Sequence, residues 1–283
     1  MSPLQRELQL VKNIAVEAGK IILSHYDTDY QVQMKSGEEP VTIADKTSSR
    51  YIVNALQQAY PNDAIVSEEN DLPTNLKTAE RIWVIDPMDG TKEFIKHNGE
   101  FAVMIGLVQA GDPVLGVVYQ PVNEKMYWGI HGQGAFMAQT HIQTPLQLKV
   151  SGEDKLKALR IAASRSHYTP EIKNIYRALG LNNVVQSGSL GLKFAMIARQ
   201  ICDIYFNLSN VTSCWDTCAP EVILKEAGGR ISNLSGTRLT YTFSHVKNRN
   251  GVIATNGPIH DYLVEKIQDL LIQRAKSQLA TFQ

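Results

Sequence analysis

The sequence predicts an α+β fold that passes into an α/β half. Three observations carry this. An apolar helical stripe near the start is followed by a second helical pattern. A series of β-rich runs separated by turn residues comes next, up to about residue 150. Beyond it, short strands alternate with helices. We therefore expect residues 1–150 as an α+β half and 151–283 as an α/β half, packed together with a cleft between them.

Ser2-Pro3-Leu4-Gln5 has the form of a helix start, with Ser2 as cap and Pro3 in the first turn. Leu4, Leu8, Val11, Ala15, Ala18 and Ile22 then recur at helical spacing. After a polar loop containing Gly37 and Pro40, Thr42 opens a second helix that Pro61 stops. Ala64–Val66 and Arg81–Ile85 have the composition of strands. Phe101–Gln109 and Val114–Tyr119 flank Ala110-Gly111-Asp112-Pro113, a hairpin signature. Lys125–Trp128 and Gly134–Met137 continue an antiparallel meander. In the second half, strands are expected at Arg160–Ala163, Val184–Val185, Asp203–Phe206 and Gly251–Thr255. Helices are expected from Thr169-Pro170 to Gly180, over Leu190–Arg199, from Trp215 to Ala227, and after Gly257-Pro258.

Composition excludes several classes. The 28 Lys and Arg balance the 28 Asp and Glu, so no net field favours nucleic acid or a membrane surface. No apolar run reaches the ~18 residues that cross a bilayer, and the first residues lack the apolar core of a signal peptide. Cys202, Cys214 and Cys218 are odd in number and lack paired spacing, which argues for buried free thiols rather than zinc or a disulfide framework.

The chemistry concentrates in Trp83-Val84-Ile85-Asp86-Pro87-Met88-Asp89-Gly90-Thr91. An apolar run ends in two acids with Pro87 between them. Carboxylates converging there repel unless a cation lies between them, and oxygen-only ligands suit Mg²⁺. Gly90 and Thr91 follow where backbone N–H groups can meet a phosphate. Capping of a turn is the alternative for both acids. Glu68-Glu69 ends another strand and could be solvated loop charge. Asp45 and Asp216 lie in first helical turns, where acids are ordinary, although Asp45 could also pair with the Thr91 hydroxyl to activate a water.

These pieces together resemble the Mg²⁺-dependent, lithium-sensitive phosphatase superfamily of inositol monophosphatases, bisphosphate nucleotidases and fructose-1,6-bisphosphatases. The matching segments are Val41-Thr42-x-Ala44-Asp45, Ser67-Glu68-Glu69, the Trp83–Thr91 motif with Phe94, and Trp215-Asp216-Thr217-Cys218-Ala219-Pro220-Glu221. The resemblance implies a layered αβαβα sandwich and two or three Mg²⁺ ions, with inhibition by Li⁺ and Ca²⁺. It implies Glu68, Asp86 and the Met88 carbonyl on one metal, and Asp86, Asp89 and Asp216 on a second. Glu68 would also help hold a third. Asp45, Thr91 and Glu68 would be catalytic, with the Asp45–Thr91 pair activating the attacking water.

Cys214–Leu224, Ser164-Arg165-Ser166-His167 and Leu192-Lys193-Phe194 resemble bisphosphate nucleotidases most closely. The implied substrate is adenosine 3′,5′-bisphosphate, cleaved to AMP and phosphate, which recycles a by-product of sulfate assimilation. The implied substrate contacts are Glu68, Met88, Asp89, Gly90, Thr91, His167, Gly188, Ser189, Lys193 and Asp216. Lys193 could equally be a solvated helix lysine and His167 an ordinary loop residue. Leu190 departs from the small hydroxyl residue many nucleotidases carry three before the Lys, so that contact is missing or moves to Ser189. The alternative substrate is an inositol or sugar phosphate. Inositol monophosphatases carry an acid seven residues before the position of Asp216, and this chain has Ser209 there. A non-catalytic phosphate binder is a further alternative, against which the complete acidic set with Thr91 argues. The resemblance also implies a monomer or homodimer in the cytoplasm, free or peripheral at the inner face of the membrane.

Overall fold

The computed structural model describes residues 4–28, 32–34, 40–139, 144–166 and 168–280. Helices α1 (Gln5–Ser24) and α2 (Ile43–Ala59) flank a short antiparallel pair, β1 (Gln33–Met34) and β2 (Pro40–Val41). Next come β3 (Ala64–Ser67), β4 (Arg81–Asp89), a short helix α3 (Thr91–Ile95), β5 (Ala102–Gln109), β6 (Asp112–Gln120), β7 (Lys125–Ile130), β8 (Ala135–Gln139) and β9 (Leu146–Gln147). Then follow β10 (Arg160–Ser164), α4 (Pro170–Ala178), β11 (Asn183–Ser187), α5 (Leu190–Ala198), β12 (Ile204–Asn207) and α6 (Cys214–Glu226). The chain closes with β13 (Arg230–Ser232), β14 (Val252–Thr255) and α7 (His260–Ala280).

β3 to β9 form a seven-stranded sheet in sequence order. It is the expected meander with one exception: β3 pairs with β4 in parallel, because residues 68–80 carry the chain back before β4 begins. The second sheet is mixed and runs β11-β10-β12-β14-β13. Helices α1 and α2 cover one face of the first sheet, α5 and α6 lie between the sheets, and the outer face of the second sheet packs with α4 and α7. This is the layered αβαβα arrangement.

Alternation along β5 shows why the order holds. Val103, Ile105 and Leu107 pack toward α1 and α2, whereas Ala102 and Met104 pack toward α5 and α6. Both faces are covered, so these strands read as continuous apolar runs. Each fully buried Val, Leu or Ile of this kind contributes roughly 1.5–3 kcal/mol.

Helix α6 lies on a row of glycines. Gly106, Gly116 and Gly129 are register partners on β5, β6 and β7. A Cβ on Gly106 would stand 2.5 Å from Cys218 Sγ, and one on Gly116 would stand 2.1 Å from the Ala219 carbonyl oxygen. The helix backbone therefore rests almost directly on the sheet. That contact sets where its first turn, with Asp216, arrives.

Several local expectations change. Ser2 and Pro3 lie outside the described residues, and the residue capping α1 is Leu4, with a left-handed φ of 72° and no side-chain capping bond. The hairpin turn is confined to Ala110 and Gly111, both at positive φ, so Asp112 and Pro113 already belong to β6. β4 does not end at Ile85. It continues to Asp89 through an irregularity between Asp86 and Asp89. Strand β13 and the short strands β1, β2 and β9 have no counterpart among the expected strands.

Candidate active site

The bulge in β4 makes the core of the site. Asp86 pairs with Met104 and Asp89 with Ala102, so three steps on β4 oppose two on β5. The extra residue re-aims the carboxylates. Asp86 Oδ1 accepts the Met88 N–H at 3.0 Å. Pro87 contributes no donor, and its carbonyl accepts the Ser48 hydroxyl at 3.1 Å, tying the bulge to α2.

Asp216 reaches the same point from α6. It is the third helical residue, and its Oδ2 accepts the Ser213 N–H at 2.5 Å in a capping box. Ligand oxygens of Asp86, Asp89 and Asp216 all lie within 4.8 Å of one another. Burial, then the charges of Glu68, Asp89 and Asp216, push Asp86 well above the usual carboxylate range. Burial followed by Asp89 and Glu68 does the same to Asp216. Glu68 lines the same cavity from the end of β3 but stands outside the compact trio.

Asp89 is held from behind. Its Oδ2 accepts the Ser189 hydroxyl and the Gly191 N–H, the latter at 2.8 Å. Ser189 is also the N-cap of α5 and accepts the Leu192 N–H at 3.1 Å. Burial raises Asp89, while Lys193, Ser189 and Gly191 pull it back down. Lys193 is buried, and its ammonium donates to the carbonyls of Ser187 at 3.2 Å and Gly188 at 2.8 Å. Burial lowers it to about 8, against the opposing charge of Asp89. Lys193 and Gly188 line the cavity. A Cβ at Gly188 would fall 2.0 Å from Glu93 Cγ, so packing alone requires glycine there. His167 lies outside the described residues.

A second pair stands beside the trio. Thr91 Oγ1 donates to Asp45 Oδ1 at 2.9 Å. The other oxygen, Oδ2, accepts the Thr42 N–H and the Thr42 hydroxyl, both at 2.7 Å. Asp45 is thus locked at the start of α2, and burial raises its pKa against those hydrogen bonds. The Met88 carbonyl lies 3.4 Å from Thr91 Oγ1. Gly90 turns the chain at φ 105°, where a Cβ would meet the Glu100 carbonyl oxygen at 2.8 Å.

These groups open on a cavity of about 490 Å³. Its acidic end is formed by Glu68, Asp86, Asp89 and Asp216, and an apolar wall by Tyr168, Ile172, Tyr176, Phe206 and Leu208. Lys92, Lys193 and Lys247 also border it. The donor set fits a divalent cation: two buried carboxylates and the half-buried Asp216 converge and repel, and their partners leave oxygens directed at one point.

The inositol monophosphatase family model matches residues 4–272. The chain belongs to the inositol monophosphatase family. Inositol monophosphatase family members are metal-dependent phosphatases, in accord with the acidic trio. The 3′(2′),5′-bisphosphate nucleotidase CysQ of Aggregatibacter actinomycetemcomitans is 36% identical over 236 residues, covering 83% of this chain and 87% of that protein. The crystal structure of CysQ from Bacteroides thetaiotaomicron, a bacterial member of the family, superposes with a TM-score of 0.73 at 30% identity, covering 89% of this chain and 98% of that one. The inositol monophosphatase from Anabaena (Nostoc) sp. PCC 7120 superposes with a TM-score of 0.77 at 27% identity, covering 95% of this chain and 97% of that one.

Sequence reasoning missed the partners that orient the acids. Ser189, expected as a substrate contact, donates its hydroxyl to Asp89. Gly191 and Ser213 are not marked by any local pattern as partners of the acids. The aromatic wall of Tyr168 and Tyr176 was likewise unmarked.

Proposed function

We propose that this protein is a Mg²⁺-dependent phosphomonoester hydrolase that removes the 3′-phosphate of adenosine 3′,5′-bisphosphate, giving AMP and phosphate. The observation that carries this reading is the similarity to CysQ nucleotidases across most of the chain, on a fold that gathers Asp86, Asp89 and Asp216. The role follows as a cytoplasmic step in sulfur metabolism.

Asp86, Asp89 and Asp216 are the proposed ligands, joined by Glu68 and the Met88 carbonyl. Bound Mg²⁺ would supply Lewis-acid polarisation of the phosphate and stabilise charge on attacking and leaving oxygens. Thr91 and Asp45 act on the water. The Thr91 hydroxyl donates its hydrogen bond to Asp45 and so presents a lone pair to a water proton. Thr42 fixes the second carboxylate oxygen, which keeps the accepting oxygen aimed at Thr91. Gly90 and Thr91 border the acids and receive the ester phosphate, where Gly90 permits close approach. The wall of Tyr168, Ile172, Tyr176 and Leu208 suits a nucleoside better than a polyol, since it offers apolar and aromatic surface. The lysines near it, Lys193 and Lys247, together with His167, are the proposed contacts to the ribose and second phosphate.

Phosphate release from adenosine 3′,5′-bisphosphate, inositol 1-phosphate and fructose 1,6-bisphosphate tests the reading. The highest kcat/KM is expected for the nucleotide, with inhibition by Li⁺ and Ca²⁺. Preference for inositol 1-phosphate would overturn it.

A further inference from the structure

The segment just after β10 and the turn just after β11 are both tied to the first half by two glutamates near α3. Glu100 accepts Arg165 Nε at 2.8 Å and Nη2 at 2.6 Å, a bidentate pair. The same carboxylate accepts the Gly188 N–H at 2.9 Å. Arg165 in turn donates from Nη2 to the Gln186 carbonyl at 3.2 Å, and its N–H reaches the Ser187 carbonyl at 3.2 Å. Glu93, which is 1% exposed, accepts the Ser166 hydroxyl. Lys96 donates to the same Ser166 oxygen at 3.0 Å.

Glu93 belongs to the helix that begins at Thr91, and its N–H bonds the Gly90 carbonyl at 2.8 Å. The hydrolytic turn and the segment leading to Tyr168 on the apolar wall are therefore joined through a few side chains. Ser164, Ser166 and Tyr168 line that cavity, but Arg165 and Glu100 do not. The Glu100 carbonyl lies against Gly90, while its carboxylate is turned to Arg165 and Gly188.

We infer that Glu100–Arg165, seconded by Glu93–Ser166, is a clamp that sets the distance between the hydrolytic turn and the substrate-recognising wall. Arg165 and Glu100 are positioning residues for the substrate body and take no part in bond cleavage. The inference rests on the proposed nucleotidase reading for the substrate it names. A single lysine at 165 keeps the charge but loses the fork geometry, so it restores the clamp in part.

The test compares wild type, Arg165→Met and Arg165→Lys on adenosine 3′,5′-bisphosphate and on para-nitrophenyl phosphate. The second ester carries a single small ring, with no ribose and no second phosphate. In Arg165→Met, KM for the nucleotide rises on the order of tenfold with kcat nearly unchanged, and para-nitrophenyl phosphate turnover stays within about twofold of wild type. Arg165→Lys falls between. Amide hydrogen exchange gives a readout that needs no substrate: the Arg165 and Gly188 amides exchange faster in Arg165→Met, while those of β5 and β6 do not. Equal losses on both esters, or an unaltered nucleotide KM, overturn the clamp. A wild type inactive on the nucleotide overturns the nucleotidase reading instead, and the clamp is then judged by amide exchange, where unchanged rates at Arg165 and Gly188 refute it.

Discussion

Gly116 on β6 touches the backbone of Ala219 on α6 so closely that a methyl group there would sit 2.1 Å from the Ala219 carbonyl oxygen. Asp216 is one helical turn away from that contact, on the same helix. The floor of α6 and the position of a candidate metal ligand are thus one structural fact.

Gly116→Ala should therefore both destabilise the fold and disturb the site. Overpacking against backbone costs about 1–3 kcal/mol or more, since no flexible side chain can yield. Urea denaturation of the variant measures the loss, and a magnesium titration measures the weaker binding. Wild-type stability would show that α6 is free to lift.

Thr91 and Asp45 are expected to act in the hydrolytic step. Thr91→Ala and Asp45→Asn should each lower kcat by about 10²–10⁴, the range for a lost general base. Thr91→Ser keeps the hydroxyl and should retain most activity. Steady-state kinetics with the preferred ester decides this.

Ser189 holds Asp89 from outside the cavity. Ser189→Ala removes one donor from Asp89 and the N-cap of α5 together. Magnesium affinity should fall about 10–100-fold, as for other residues that orient ligands, and stability by about 1 kcal/mol. Calorimetric titration of Mg²⁺ separates the two effects, because the loss of stability alone leaves the dissociation constant unchanged.

His260 predicts the acid side of the stability curve. It is buried between Ser232 Oγ at 2.9 Å and Thr255 Oγ1 at 3.0 Å, and burial with the nearby Arg230 lowers it from 6.5 to about 4. The unfolded chain then binds more protons between those values. Its contribution is complete above pH 6.5 and declines as pH falls toward 4, by about 3 kcal/mol in all. His260→Gln should flatten that part of the curve. Urea melts between pH 4.5 and 7.5 would show it, and an unchanged slope would assign the acid loss to other groups.

What could be read beforehand followed from local pattern. Asp86 and Asp89 stood out because charges at the end of a buried apolar run are costly without a partner. Thr42 and Asp45 stood out because helix starts favour such residues. What could not be read depends on long-range pairing. Asp89 and Ser189 are 100 residues apart, and nothing local marks either as the other's partner. The bulge in β4 appears only once β5 is laid against it. The glycines of β5, β6 and β7 look like ordinary weak points in three strands until register aligns them under α6. Strand β13 is only three residues long and gains its strand character from pairing with β14.

The claim on which everything else depends is that the carboxylate trio of Asp86, Asp89 and Asp216 is a magnesium site that drives hydrolysis. The direct measurement is the Mg²⁺ dependence of phosphate release by Asp86→Asn, alongside its thermal unfolding. The variant should fold and melt as a single transition, yet show no Mg²⁺-dependent turnover above background. Turnover that still saturates with Mg²⁺ at the wild-type rate would contradict the account.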